Sequence, residues 1–504
     1  MTNRLARIPI RARGCVAVAG LTLIALVLTF YRLGAAGVCG ANEAIEGLFV
    51  QQMVENGELL FPLANGADPM YKPPLFHWTA TAVSDALGMH LVTPAILRAP
   101  SALYASAGVA LTVGFALTML DLPGAVLAGV VLLSSYQYVS EGRIGRVDMT
   151  LTFFESLALF SFLWWLPKKA SEDPVAPART NAQRTELRYL FAAALALAVL
   201  AKGPVGAMLP LLAIAVFCVG QKRWKNAQQL FSPGSALLAI GLASSWYLAC
   251  VFGRRYGFLN RQIGSENFGR FFGSLGEMAP TYYLKPILLN SVPASLLAPF
   301  AVIAALSNRQ QTAELTRAGS SRRAVSSVKL FAIFWLVTVA FFSIAAYKRR
   351  AYLLPLWPPT AVLIAWWIGR LAERRWGRVI RNGAFIVFGA LIIFNLFYIP
   401  SKQMRECVND PVLEAAVLIK RAVAPDEPLF IYGVDQGPPS LLFYLDRQVP
   451  LLHGNLDDAP PGYVIIPADV WLRHRKEAPE LEPVLTAGSG PHGLILLRRG
   501  KLYG

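Results

Sequence analysis

The sequence predicts an all-α polytopic membrane protein with a small α/β domain at its C-terminal end. Its 504 residues are 55% hydrophobic and only 15% charged, and the mean hydropathy is +0.47. Apolar runs of about 17–25 residues, the length that crosses a bilayer as a helix, recur as far as residue 399. Beyond residue 400 these runs stop and shorter patterns replace them, which predicts a separate domain.

About eleven apolar segments are candidates for membrane-spanning helices. The first follows the basic start MTNRLARIPIRARG and continues to Phe30 without a small-residue cleavage site, so we interpret it as a retained helix. The candidates lie at residues 15–33, 97–119, 124–141, 149–166, 188–202, 204–219, 233–252, 283–305, 330–346, 351–371 and 383–399.

The net charge of +17 predicts the orientation of these helices. Lys and Arg concentrate in segments that the positive-inside rule assigns to the cytoplasm, namely the N-terminus, 167–188, 220–232, 306–329 and 372–382. These segments share one side only if 75–90 does not cross the bilayer. We therefore expect 34–96 to be one long outer loop in which 75–90 lies along the interface. No basic soluble domain is visible, so nucleic-acid binding is not expected.

Two domains follow from this topology, a membrane domain at 1–399 and a domain at 400–504 that faces the periplasm or exterior. In the latter, PLFIYG, YVIIP and LILLRR have the pattern of short strands, and PVLEAAVLIKRAV that of an amphipathic helix. The protein is thus expected in the cell membrane as a multi-pass protein, with this domain on the outer side.

The five cysteines are scattered along the chain and show no CxxC or other metal-binding spacing. This distribution predicts neither a disulfide framework nor a zinc site.

A second set of charges lies at outward-facing helix ends, on the side opposite to the segments in which Lys and Arg concentrate. The cations are Lys72, Arg143, Arg146, Lys202, Lys348, Arg349 and Arg350, and the carboxylates are Glu43, Glu46, Asp148 and Glu266. Ionisable groups at membrane depth are costly, so they usually line a cavity and pair with one another or with a ligand. Cations beside a few carboxylates at a membrane surface suit a phosphate group with chemistry next to it.

Each of these residues also has a plainer interpretation. A single Lys or Arg can extend to the interface, and Asp148 can form a structural salt bridge with Arg143 or Arg146. The KGP segment at 202–204 can simply join two helices at its proline, and His77 can be a packed interfacial histidine. The joint pattern, with both signs at several helix ends on one side, favours a site.

Several sequence blocks resemble the GT-C type of lipid-linked-sugar glycosyltransferases, in particular the aminoarabinose transferase and protein mannosyltransferase-like branch. The first is NEAIEGLFVQQMVENGELLFPLANGADPMYKPPLFHW, which is similar to the first outer loop of that family. The others, in order, are RAPSALYA, GRIGRVDMTLTFF, LAKGPVGAMLPLL, WYLACVFG with ENFGRFF, and YKRRAYLLPLWPPTAVLIA. The resemblance covers roughly residues 30–370.

This resemblance implies an enzyme that moves a sugar from a polyprenyl-phosphate donor to a cell-envelope acceptor, with inversion at the anomeric carbon. Lys72 would bind the donor phosphate, helped by Lys202, Lys348 and Arg349. The family often has Asp where this chain has Asn42, so the base would be Glu43, with Glu46 and Asp148 as alternatives. Further substrate contacts are expected from Asn42, Glu46, Tyr71, Arg143, Glu266, Arg270 and Tyr347.

Some relatives carry Glu and His where this chain has Tyr71 and the GSENFGRF segment, so neither a metal nor another cofactor is expected. A transporter or lipid flippase is the main alternative, and it would show charges near the bilayer centre and repeats between halves. A catalytically inactive relative, with Asn42 marking the loss, is another. The sugar stays open, as does the choice of lipid A, another glycan or a protein as acceptor.

Overall fold

The fold was analysed in a computed structural model, which describes residues 10–166, 180–274, 276–307, 322–373, 376–408, 410–434, 437–487 and 493–499. The chain forms two compact units. The membrane unit comprises residues 1–31, 71–76 and 98–399, and the second unit comprises 32–70, 77–97 and 400–504. Parts of the basic segments used for orientation, at 1–9, 167–179, 308–321 and 374–375, lie outside the described residues.

Most of the described chain is helical. The helices of the first half are α1 (Ile10–Phe30), α2 (Ala41–Asn56), α3 (Leu75–Ala86), α4 (Pro94–Ala116), α5 (Leu122–Ser134), α6 (Tyr136–Glu141), α7 (Val147–Trp165), α8 (Asn181–Lys202), α9 (Val205–Gly220), α10 (Trp224–Gln228) and α11 (Pro233–Phe252). Then follow α12 (Tyr256–Leu259), a π-helical segment (Asn260–Gly269), α13 (Arg270–Phe272), a 3-10 turn (Pro280–Tyr283), α14 (Leu284–Leu289), α15 (Ala294–Leu306), α16 (Arg322–Ile344), a second 3-10 turn (Arg350–Leu356), α17 (Trp357–Leu371) and α18 (Gly377–Val408).

Seven of the described helices are long and apolar enough to cross a membrane, and the number rises to eight if α14 and α15, which meet at 107°, count as one span. The predicted number of eleven is therefore not confirmed, although each predicted segment overlaps a helix or a pair of helices. The observed number is lower because several predicted spans are short or broken in the structure, as between α5 and α6. Helix α3 has only 12 residues, about 18 Å of rise, which is too short to cross a hydrocarbon core of about 30 Å.

The core of the membrane unit is formed by buried aliphatic and aromatic side chains of α4, α5, α7, α9, α16 and α17. Phe115 stacks on Phe160 with 4.3 Å between ring centroids. Phe331 packs edge-on against these two rings at 5.6 and 5.5 Å. Helix α7 packs along α8, and α8 packs along α11. These contacts hold the ends of α7 and α8, which carry site residues, in fixed positions.

The second unit contains a five-stranded sheet with three short helices, α19 (Pro411–Ala422), α20 (Pro439–Leu445) and α21 (Ala468–His474). Its strands are β3 (Leu429–Tyr432), β4 (Leu451–Leu452), β5 (Gly462–Pro467), β6 (Leu481–Ala487) and β7 (Leu494–Arg499), in the order β4-β3-β5-β7-β6. Strand β3 is parallel to β4 and β5, whereas β7 is antiparallel to β5 and β6. The predicted small α/β domain is confirmed, and the three predicted strands and the predicted helix are all present. Strands β4 and β6 were missed.

Most of the predicted outer loop belongs to this second unit rather than to the membrane unit. Its hairpin of β1 (Leu63–Ala64) and β2 (Asp68–Pro69) is anchored by Asn65, whose amide donates to the Val449 carbonyl at 2.8 Å and accepts from the Val449 N–H at 2.7 Å. Helix α2 packs against α20, where Gln51 donates to the Phe443 carbonyl at 3.1 Å. The loop and the tail therefore fold together.

A disulfide between Cys39 and Cys407 links the start of this loop to the tail across 368 residues of sequence. The sequence predicted no disulfide framework and gave no indication of this single bond, so the prediction is wrong for Cys39 and Cys407. Spacing along the sequence cannot reveal a pair so far apart, because only the packing of loop and tail brings the two sulfurs together.

Candidate active site

The membrane unit encloses a cavity of about 410 Å³ that is charged in one part and apolar in another. Among the described residues, five cations line it, namely Lys72, Arg146, Lys202, Arg270 and Arg349, together with the two carboxylates of Asp148 and Glu266. The apolar part is formed mainly by Leu151, Met208, Leu209, Phe271, Phe341 and Phe342. An excess of positive charge beside an apolar wall suits an amphipathic anion.

Asp148 connects the cations of two helix ends. It lies in the first turn of α7, where the helix dipole favours a carboxylate. Its Oδ2 accepts from Arg146 Nη2 at 2.9 Å, and its Oδ1 accepts from Lys202 Nζ. Of the two structural partners considered from the sequence, it is Arg146 that pairs with Asp148. Both carboxylate oxygens are thus engaged by cations, although each keeps a further lone pair that could accept another hydrogen bond.

The KGP segment places Lys202 at the last position of α8 and turns the chain into α9. Gly203 has φ +105°, a left-handed conformation that side chains disfavour, and a Cβ there would collide with the amide of Gln262. A Cβ on Gly206 would collide with the backbone carbonyl of Ala198. Gly206 thus allows α9 to approach α8 closely, and Gly203 allows the turn between them to pack against Gln262.

Two arginines enclose the ring of Tyr347 in the cavity wall. The guanidinium carbons of Arg270 and Arg349 lie 5.4 and 5.5 Å from the centroid of this ring, and Arg349 Nε donates to the Tyr347 hydroxyl at 3.3 Å. Arg270 also donates to Glu266 at 2.7 Å and to the Tyr352 hydroxyl at 3.2 Å. Burial alone would lower the pKa of Arg270, but Tyr352 and Glu266 outweigh it and hold the pKa above its usual value. This guanidinium therefore stays charged.

Lys72 and Tyr71 line the same cavity from the segment before the two prolines. Both are buried, and the Lys72 ammonium lies 5.0 Å from the centroid of the Tyr71 ring. Arg261 approaches the same ring at 5.6 Å, and the Lys202 ammonium lies 4.7 Å from the Tyr352 ring. Cations against aromatic faces are held in place without losing their charge.

Two of the predicted substrate-binding cations do not line this cavity. Lys348 is buried and its ammonium donates to the carbonyls of Met278, at 3.0 Å, and Ala345. Arg143 is also buried, and its Nη1 donates to the carbonyls of Leu28 and Thr29, both at 2.9 Å, at the end of α1. Both cations are thus bound to backbone carbonyls and lie outside the cavity lining.

The predicted acidic residues of the first loop lie in the second unit, on the first turns of α2. Asn42 is exposed and Glu43 is buried. The Glu46 carboxylate contacts His77 Nε2 at 2.8 Å, and both of these side chains are fully buried. Glu46 and His77 thus form a buried pair, which explains why a histidine follows the proline pair.

Two contributors were not selected from the sequence. Tyr352 contacts Arg270 and Lys202, and Arg261 contacts Tyr71. Tyr352 lies within the block YKRRAYLLPLWPPTAVLIA, so a search for aromatic rings near the clustered cations would have found it. Among the described residues, no group of three or more His, Cys, Asp or Glu side chains is arranged to hold a metal ion.

Comparisons with known proteins agree with this architecture. Residues 52–252 match the family described as dolichyl-phosphate-mannose-protein mannosyltransferase. The undecaprenyl phosphate-alpha-4-amino-4-deoxy-L-arabinose arabinosyl transferase of Pectobacterium atrosepticum is 28% identical over 273 residues, which is 53% of this chain and 44% of that relative. A second transferase of this description, from Pseudomonas fluorescens, is 24% identical over 79% of this chain and 67% of its own length. The chain thus spans less than half of the first relative.

The fold is that of the crystal structures of ArnT from Cupriavidus metallidurans. The undecaprenyl phosphate-bound form superimposes with a TM-score of 0.77 at 17% identity, covering 97% of this chain and 99% of that one. The apo form gives 0.78 at 18% identity, covering 97% and 98%. The chain is therefore a multi-pass membrane protein with a GT-C-type fold. It is similar in sequence to the aminoarabinose transferases and in part to the protein mannosyltransferases, which confirms the resemblance seen in the sequence blocks.

Proposed function

We propose that the protein is a membrane glycosyltransferase that moves a sugar from a polyprenyl-phosphate donor to a cell-envelope acceptor. The observation that carries this proposal is the two-part cavity of the membrane unit. Its cations match a lipid phosphate, and its apolar wall matches the chain that the phosphate carries. The Cupriavidus protein whose fold it shares binds undecaprenyl phosphate, and the similar Pectobacterium protein is a transferase that uses such a donor.

The proposed chemistry is a single displacement. An acceptor hydroxyl attacks the anomeric carbon, the bond from that carbon to the phosphate oxygen breaks, and the electron pair leaves with the phosphate. The leaving group is already an anion, so it needs no protonation, and cations at its oxygens stabilise the charge that develops there. Lys72, Lys202, Arg270 and Arg349 are the proposed phosphate ligands. One-step attack from the opposite side inverts the anomeric centre.

The hydroxyl proton requires a carboxylate as acceptor. We propose Glu43 for this role, as the resemblance implies, because Arg146 and Lys202 stabilise the ionised carboxylate of Asp148 and so make it a weaker proton acceptor. Asp148 then serves to keep these cations in place. Asn42, Glu46 and Tyr71 remain proposed substrate contacts.

We also propose that the second unit faces the periplasm. Its disulfide between Cys39 and Cys407 supports this orientation, because disulfides persist in oxidising compartments and are rare in the cytosol. The acceptor would then be met on the outer side of the inner membrane, as lipid A, another glycan or a protein.

Transfer can be tested with the purified protein in liposomes. These would contain a panel of undecaprenyl-phosphate sugars that includes 4-amino-4-deoxy-L-arabinose, together with cell-envelope extract. The expected result is a glycosylated acceptor and an equal amount of released undecaprenyl phosphate. Movement of the intact donor across the bilayer without product would favour a flippase. Donor binding without either event would indicate an inactive relative.

A further inference from the structure

The segment at 345–350, here called the Arg349 segment, carries three residues of the cavity wall, Ala345, Tyr347 and Arg349, and is held by its backbone. The N–H groups of Ala346 and Tyr347 donate to the carbonyls of Phe271 and Arg270, each at 3.0 Å. The Lys348 ammonium donates to the carbonyls of Met278 and Ala345. The first half of the segment is therefore fixed to the loop that carries Arg270.

The second half of the segment is held by the hydroxyl of Tyr283. This hydroxyl accepts from the Arg349 N–H at 3.3 Å and donates to the Arg349 carbonyl at 3.2 Å. Tyr283 is 1% exposed. The Tyr283 hydroxyl thus both accepts from and donates to the backbone of Arg349, a residue that lines the cavity.

Gln137 holds the next residue of the segment. Its Nε2 donates to the Arg350 carbonyl at 2.6 Å, and its Oε1 accepts from Trp357 Nε1 at 3.0 Å and from Asn290 Nδ2 at 3.3 Å. Gln137 lies in the first turn of α6 and is buried. Because both ends of the amide are bonded, a flip of the amide would break these hydrogen bonds. The Nε2 group therefore stays directed at the Arg350 carbonyl.

We infer that Tyr283 and Gln137 are positioning residues for donor binding, which act by fixing the backbone of Arg349 so that its guanidinium stands against Tyr347 in the cavity. Neither is among the residues that line this cavity, so each acts through Arg349. A guanidinium that must meet a phosphate gains from a preset position, since its hydrogen bonds depend on geometry. This inference rests on the proposed lipid-phosphate donor.

Tyr283→Phe is the sharpest test, because it removes one hydroxyl and leaves the ring. The neighbouring Tyr282→Phe is the matched control. Tyr283→Phe removes both hydrogen bonds to the Arg349 backbone, and we expect it to raise KM for an undecaprenyl-phosphate sugar about three- to tenfold with kcat little changed. Gln137→Leu should act in the same direction, and Tyr282→Phe should have no effect. Thermal unfolding of each variant, measured in parallel, identifies variants that fail to fold.

A double-mutant cycle with Arg349→Ala separates positioning from a general structural effect. If Tyr283 acts through Arg349, Tyr283→Phe should cause no further loss of undecaprenyl phosphate binding in the Arg349→Ala background. Losses that multiply would overturn the inference. If Arg349→Ala itself leaves binding unchanged, the proposed phosphate role of Arg349 is wrong. If the wild-type protein does not bind undecaprenyl phosphate, the proposed function fails instead.

Discussion

Individual cations at the site differ in what holds them. Lys202 is held by Asp148, Arg270 by Glu266 and Tyr352, and Arg349 by Tyr347. Lys348 and Arg143 bond to backbone carbonyls instead. A buried cation needs a partner in every case. Lys202, Arg270 and Arg349, which are held by side chains, can exchange part of these contacts for a phosphate without leaving a backbone carbonyl unpaired.

Lys72→Ala should lower kcat/KM for the lipid-phosphate donor by roughly ten- to a hundredfold. A charge-assisted contact contributes about 1.5–3 kcal/mol, and each tenfold change in rate corresponds to about 1.4 kcal/mol. Steady-state kinetics in liposomes would measure the loss. Lys285→Ala is a suitable control, because Lys285 is exposed and lies outside the cavity lining. An unchanged kcat/KM in Lys72→Ala would contradict the phosphate assignment and favour a lysine that merely extends to the interface.

Glu43→Gln should abolish transfer while the protein remains at normal abundance. Glutamine keeps the size of the side chain but cannot accept the hydroxyl proton. Product formation would be measured beside Glu55→Gln, which alters an exposed carboxylate on the same helix, and Asn42→Asp should be tolerated. Full activity in Glu43→Gln would transfer the base role to Asp148 or Glu46, or show that no base is required.

Among the secondary-structure elements, the junction of α8 and α9 most directly determines the site. Lys202 ends one helix, and two residues of turn separate it from the start of the next. The close approach of Gly206 to the Ala198 carbonyl holds the two helices together. The orientation of the Lys202 ammonium toward Asp148 therefore depends on a glycine that itself carries no chemistry.

Gly206→Ala should lower the free energy of unfolding by about 1–3 kcal/mol, the usual cost of forcing extra volume into a packed contact. Gly220→Ala, at the other end of α9, is the matched control, since a Cβ there meets nothing within 4 Å. Alanine should be neutral or slightly favourable at Gly220 because it is a better helix former than glycine. Thermal unfolding in detergent would compare the two. Equal stability would show that α8 and α9 separate easily.

At the scale of the whole molecule, the disulfide closes the longest connection in the second unit. Cys39→Ser and Cys407→Ser should each lower the stability of this unit by about 2–5 kcal/mol. The double variant should be no less stable than either single one, because the same bond is lost. The rate of limited proteolysis of the second unit would measure the loss of stability, with Cys15→Ser as the control. Additive losses in the double variant would contradict the pairing.

The proposed orientation predicts the behaviour of topology reporters. Fusions after residue 90 and at the C-terminal end should both report the periplasmic side, and a fusion after Lys225 should report the cytoplasm. The physical basis is the concentration of Lys and Arg in the predicted inner segments. A cytoplasmic signal at residue 90 would mean that 75–90 crosses the bilayer, and the assignment of all charged helix ends to one side would then fail.

The sequence by itself determined where the long helices lie and where three of the five strands of the small sheet lie. Long apolar runs can satisfy their backbone groups in lipid only as helices, and short continuous apolar runs such as YVIIP form buried strands. The blocks around Lys72, Asp148 and Lys202 also identified the family resemblance. These inferences need only local sequence, because periodicity and charge are local properties.

Only the tertiary structure decided which of the clustered charges act together. Lys348 and Arg349 are adjacent in sequence, yet one bonds to backbone carbonyls and the other lines the cavity. Neighbouring side chains point in different directions, and of the two carbonyls that Lys348 binds, that of Met278 comes from a distant segment. The pairing of Cys39 with Cys407 and the anchoring of Arg349 by Tyr283 depend in the same way on contacts between residues far apart in the chain.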